Sequence, residues 1–131
     1  MTGTTPVGRR QARRQALFLL YQWDLTGQEL ASLFEGEPDD FAFALAEAVA
    51  ARAPALDARI TAASPDWPAN RLGTLERNIL RVGVYELEEQ TVPREVAINE
   101  AVVLAKRYAT DEAAGLVNGI LARVAREQEA A

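Results

Sequence analysis

Apolar residues recur along this chain at three- and four-residue spacing and never in a sustained apolar/polar alternation, so helix is predicted throughout. Alanine, leucine, glutamate and arginine, all good helix formers, dominate it. A first helix runs from about Arg9 to Leu25, with Ala12, Ala16, Leu19, Leu20 and Trp23 clustered on its core side, and stops at Gly27 as a C-terminal cap. Residues 1–8 before it are expected to be a disordered tail. A short helical piece, Glu29 to Phe34, precedes the turn signal Gly36-Glu37-Pro38. Asp39 or Asp40 then caps a helix carrying Phe41, Leu45, Ala48 and Val49, and Pro54 breaks or kinks it before Leu56 and Ile60 resume the pattern.

Ser64-Pro65-Asp66-Trp67-Pro68 is the strongest punctuation and divides the chain into halves of similar length. Beyond it, Leu75, Ile79, Leu80, Val82, Val84 and Leu87 form a band too wide for a one-sided surface helix, which predicts a central one. Pro93 suits the first turn of the next helix, with Val96, Ala97, Ala101, Leu104, Ala105 and Tyr108 turned inward. Thr110 or Asp111 caps the last helix, whose stripe is Leu116, Val117, Ile120, Leu121 and Val124. The expected fold is all-α: two small three-helix bundles, residues 9–64 and 67–131, packed into one compact domain.

The length of 131 residues suits a single core needing no disulfide or metal. Cysteine and histidine are both absent, which excludes thiolate nucleophiles, zinc sites of the usual kind and histidine general bases. A non-catalytic protein without cofactors is the expectation. No apolar run approaches the roughly 20 residues of a membrane span, and the start lacks a signal-type segment, so a cytoplasmic location is expected.

Charge is unevenly distributed beneath the net value of −5. Residues 1–23 carry Arg9, Arg10, Arg13 and Arg14 and no acid, whereas residues 24–66 carry nine acids against Arg52 and Arg59. At about 100° per residue, with Arg9 at 0°, the four arginines span roughly 0° to 140° and Tyr21 lies near 120° among them. Arginine contacts phosphates and tyrosine stacks on unpaired bases, so this face suits single-stranded RNA; its bland alternative is a solvated N-terminal basic run. Trp23 lies opposite and is assigned to the core. Asn99 is either a buried polar residue fixing packing or an interface contact, with the structural role favoured. Gly119, after Asn118, is expected to permit close helix contact at a cost of about 1 kcal/mol against alanine. Glu86, Glu88 and Glu89 are expected to form a solvated acidic run, and Gly73 and Gly83 belong to no phosphate-cradling motif.

Several blocks together carry a resemblance. Arg9-Arg10-x-x-Arg13 with Tyr21-Gln22-Trp23, Ile79-Leu80-Arg81 with Tyr85-Glu86-Leu87, Val92-Pro93 with Ala97-Ile98-Asn99-Glu100-Ala101-Val102 and Leu104-Ala105-Lys106, and Val117-Asn118-Gly119-Ile120-Leu121 closely resemble the bacterial NusB antitermination family. The likeness runs from Arg9 to about Ala125 and is most specific in the second half; from Gln28 to Ser64 it extends only to helical character. It implies a helical protein that binds boxA RNA of leader and ribosomal RNA transcripts together with the ribosomal protein NusE. The pair would act indirectly on RNA polymerase with other Nus factors. It further implies an RNA face of Arg9, Arg10, Arg13 and Tyr21, joined by Arg81, Lys106 and Tyr108, with Glu76 on the partner-protein side or its border with RNA. A homodimer is compatible with the same resemblance.

Leu116 stands where many relatives have phenylalanine, which leaves a stacking contact there open. Arg14 occupies a variable position and adds phosphate contact without sequence preference. Two rival readings are an RNA-docking domain of a ribosomal RNA methyltransferase and a helical adaptor that touches no RNA. The short stretch after the last helix, with neither a Gly-rich cofactor strand nor cysteine, weighs against the first.

Overall fold

The spacing of apolar residues is realised as helices whose ends are fixed by local chemistry. The computed structural model describes residues 8–33, 36 and 39–130. Among them are six α-helices and no strand: α1 (Arg9–Thr26), α2 (Asp40–Ala51), α3 (Ala53–Ala63), α4 (Thr74–Glu89), α5 (Arg94–Tyr108) and α6 (Asp111–Ala130). Single 3-10 turns lie at Leu30–Leu33 and Ala69–Arg71. The expected tail before Gly8, the end of the short helical piece at Phe34, and Glu37-Pro38 of the turn signal lie outside the described residues.

Gly27 caps α1 in the left-handed region at φ 73°, its N–H donating to the Trp23 carbonyl, a conformation glycine adopts without the Cβ penalty. The Asp39 carboxylate accepts from the Ala42 N–H at 2.9 Å and starts α2. Arg52 separates α2 from α3, and Pro54 sits in the first turn of α3, where its missing N–H costs nothing. Pro93 immediately precedes α5 rather than entering its first turn. The Thr110 hydroxyl accepts from the Ala113 N–H at 2.9 Å and caps α6.

α4 is the central helix and packs against all five others. Its Ile79, Leu80, Val82, Val84 and Leu87 are buried, as its broad apolar band required. The first three helices and the last three share one continuous core, from Leu17 and Leu20 through Leu56 and Ile60 to Val117 and Leu121. Two expected contacts fall elsewhere. A Cβ on Gly119 would meet nothing within 4 Å, whereas one on Gly83 would lie 2.7 Å from Leu121 Cδ1; the close helix approach is therefore α4 on α6, made at Gly83. Val96, expected inward, is exposed, and so is Phe41 of α2. Among the described residues no helix is long and apolar enough to cross a membrane.

Candidate nucleic-acid interface

The arginines of α1 do not share one face. The buried side of this helix includes Leu17 and Leu20 as well as Ala12, Ala16 and Leu19, so it reaches about 80° on the wheel described above. Arg13 lies inside that arc. Its side chain is 4% exposed, and it donates from Nε and Nη2 to the two Glu86 carboxylate oxygens at 2.9 and 2.8 Å. A third bond, from Nη1 to Glu100 Oε1, measures 3.2 Å. Arg13 is therefore buried in an ion pair and not on an exposed basic face: its Nε, Nη1 and Nη2 each donate to a carboxylate inside the protein. Glu86 is likewise no part of a solvated run, because it is buried as the counter-charge of Arg13.

Arg81 is the second correction. Its side chain is 7% exposed, and it donates from Nε and Nη2 to Asp57 at 2.7 and 2.7 Å and from Nη1 to Asp24 and Asn78 at 3.0 Å each. Arg77 adds two bonds to the same Asp24 oxygen at 3.0 and 2.9 Å. This network joins α1, α3 and α4, and Trp23 lies beside the Arg81 guanidinium at 5.8 Å while packing against the core. Burial pushes the Asp24 carboxyl up, but the hydrogen bonds from Arg77 and Asn78 and the charges of Arg81 and Arg77 outweigh it, so its pKa is lowered.

Arg10 bridges interior and surface. Nε and Nη2 donate to the Glu100 carboxylate at 2.9 Å each, yet 72% of the Arg10 side chain remains exposed. The hydrogen bond from Arg10 is the main reason the Glu100 carboxyl is held below its ordinary pKa, against a smaller opposing effect of burial and with further help from the charges of Arg10 and Arg13.

What stays on the surface is a row along α1: Arg10, Arg14, Phe18, Tyr21 and Leu25, spaced by three or four residues on one side of the helix. Arg14 and Tyr21 are half-buried; Phe18 is 41% exposed. The end of α5 reaches this row through a side-chain contact, Tyr108 and Phe18 being T-shaped at 5.0 Å between ring centroids and 77° between planes. The Arg107 guanidinium lies 5.5 Å from the Tyr108 ring. Arg10, through Glu100, and Tyr108, through Phe18, thus form a seam between α1 and α5, and Tyr21 lies on the same row of α1. Arg9, also exposed, sits over the Phe41 ring at 4.8 Å on the α2 side.

Lys106 is exposed but occupies a different edge of α5, in the groove toward α6 with Ile98, Asn99, Val102 and Asn118. Asn99 is exposed there, not a buried packing residue. Glu76 and Leu116 line another groove together with Trp67, Arg71, Gly73 and Thr110. The sequence reading missed Phe18, Arg107 and the buried carboxylates. Phe18 was detectable from its place eight residues after Arg10 and four after Arg14, and Leu17 and Asp24 marked the buried side.

The sequence matches the NusB family over residues 10–126. The chain belongs to that family. A transcription antitermination protein NusB of Rubrobacter xylanophilus is 42% identical over 122 residues, covering 88% of each chain. The structure is similar to that of T. maritima NusB with a TM-score of 0.82 at 30% identity, covering 94% of each chain. It is also similar to a chain in a crystal structure of antitermination factors NusB and NusE in complex with dsRNA, with a TM-score of 0.80 at 28% identity over 91% of this chain and 96% of that one. Within this NusB fold, the sequence blocks of the resemblance divide by role. Glu86, Arg81 and Glu100 supply buried ion pairs that fix helices, whereas Arg10, Tyr21, Lys106 and Tyr108 keep surface positions.

Proposed function

We propose that this chain is a cytoplasmic, non-catalytic antitermination factor that binds single-stranded boxA RNA of leader and ribosomal RNA transcripts together with NusE. In that role it acts indirectly on RNA polymerase, with other Nus factors, to keep transcription of ribosomal RNA operons processive. The observation that carries the reading is the seam of cations and rings, with Arg10 and Arg107 exposed and Arg14, Tyr21 and Tyr108 half-buried, on a chain of net charge −5. Guanidinium groups attract the phosphate backbone, and rings give unpaired bases a stacking surface that a duplex does not use. Arg9 and Lys106 extend the positive surface on either side. Glu76 and Leu116 share a groove outside the seam, which suits the partner-protein side.

A small basic seam on an acidic protein gives modest affinity alone, and a second protein holding the same RNA raises it through linked binding. The test is fluorescence anisotropy with a boxA-like single strand, a scrambled strand and a duplex of the same sequence, with and without NusE. The expected result is preference for the boxA strand that increases with NusE. Equal affinity for boxA and scrambled strands, indifferent to NusE, would overturn the reading, as would preference for the duplex.

A further inference from the structure

We infer that Phe18, held in a T-shaped contact by Tyr108, is a platform on which an unpaired RNA base stacks, with Arg14 and Arg107 nearby. This rests on the RNA-binding reading above and adds a residue, Phe18, that neither the basic motif nor the family resemblance singled out. Phe18 is 41% exposed, although its neighbours Leu17 and Leu19 supply the packing of this turn from the buried side. A large ring left 41% exposed forgoes part of the benefit of burying it, so a role is sought on the outside.

Rings at 77° cannot both lie flat on one ligand, so the base stacks on a face of Phe18 while Tyr108 braces it. At 77° and 5.0 Å one ring presents its edge to the other, an arrangement that covers one of the four ring faces. Arg107 lies over the Tyr108 ring at 5.5 Å and takes one of its faces, so the face left for a base is on Phe18, with the cation close enough to add its own attraction. Arg14 and Arg10 stand one and two turns before Phe18 on the same row, placing positive charge where the strand leaving the stacked base carries phosphates. The carboxylate at this seam, Glu100, is already bonded to Arg10 and Arg13 and offers little repulsion.

The charge also argues against a second copy as the occupant. A two-fold contact through this seam would bring the same patch against itself, setting Arg10, Arg14 and Arg107 of each molecule near those of the other. A ligand combining an aromatic face with negative charge has no such conflict.

The test uses a short boxA-like single strand carrying 2-aminopurine at successive positions, bound to the full chain and to Phe18→Leu and Phe18→Tyr. Stacking quenches the probe. The expected result is quenching at one position by the wild type and by Phe18→Tyr, with affinity about ten-fold weaker and quenching lost in Phe18→Leu. The salt dependence of binding stays the same across the three, because the phosphate contacts are intact. Phe18→Leu binding and quenching like the wild type would overturn the platform while leaving the RNA reading standing. A shallower salt dependence in Phe18→Leu without rescue by tyrosine would overturn it too, since the substitution would then have displaced the arginines. A folded wild type that binds no single strand would instead remove the RNA reading itself.

Discussion

Arg13 and Glu86 bury both members of an ion pair, each side chain 4% exposed. Taking such charges from water costs several kcal/mol per ion, and only good geometry with further hydrogen bonds offsets it. Two parallel bonds to Glu86 and a third to Glu100 provide that geometry. Replacing Glu86 by alanine strands the guanidinium, and the expected loss is about 3–5 kcal/mol in a urea titration; a loss below about 1 kcal/mol would show that Glu100 or water replaces it. The carboxyls of Asp24 and Glu100 have lowered pKa in the folded state. Their stabilisation is complete above the ordinary carboxylate range near pH 4 and disappears as pH falls through the lower folded values, because the unfolded chain takes up protons first. The melting temperature should accordingly fall below about pH 4, as followed by circular dichroism, and a flat profile down to pH 3 would refute the assignment. These residues were only half legible in the sequence. The wheel located the arginines, but charge alone does not reveal that a buried glutamate 73 residues away neutralises one of them. Leu17 and Asp24 carried the available signal, since an apolar residue and an acid within the basic arc mark a side that faces partners rather than solvent.

At the scale of elements, the terminal signals were the most readable part. Gly27, Asp39 and Thr110 cap as their chemistry dictates, and the break expected at Pro54 falls between α2 and α3, with the proline in the first turn of α3 where its missing N–H is tolerated. Caps are local and need no tertiary information. Helix-to-helix contact is not local, and the two glycines of interest exchanged roles for that reason. Gly83 lies where α4 meets Leu121 of α6, so Gly83→Ala forces a buried leucine aside and should destabilise by about 1–3 kcal/mol. Gly119 faces open space, so Gly119→Ala should stabilise by up to about 1 kcal/mol through helix propensity alone. Paired thermal denaturation of both variants checks the contrast; like signs would contradict the packing. Asn118-Gly119 resembled a packing signal because the dipeptide is unusual inside a helix, whereas Gly83 sat inconspicuously within an apolar run.

For the whole molecule, family membership and the all-α architecture emerged from blocks distributed along the chain, while the composition of the surface seam required the fold to bring α5 beside α1. That juxtaposition gives a quantitative expectation for the proposed RNA complex. If Arg10, Arg14 and Arg107 each neutralise one phosphate, the logarithm of affinity falls with the logarithm of salt at a slope of about −2, and Arg10→Gln reduces its magnitude by about 0.7. An unchanged slope in Arg10→Gln would place the strand elsewhere.

The ion pairs have one more consequence, for how α1 responds to load. Near its start, Arg10 and Arg13 fasten it to α5 and α4; near its end, Asp24 fastens it to α4 through Arg77 and Arg81. A beam clamped at both ends resists pivoting about either one. In the proposed complex, tension on a strand held along α1 would therefore pass into the central helix instead of swinging α1 away from the core.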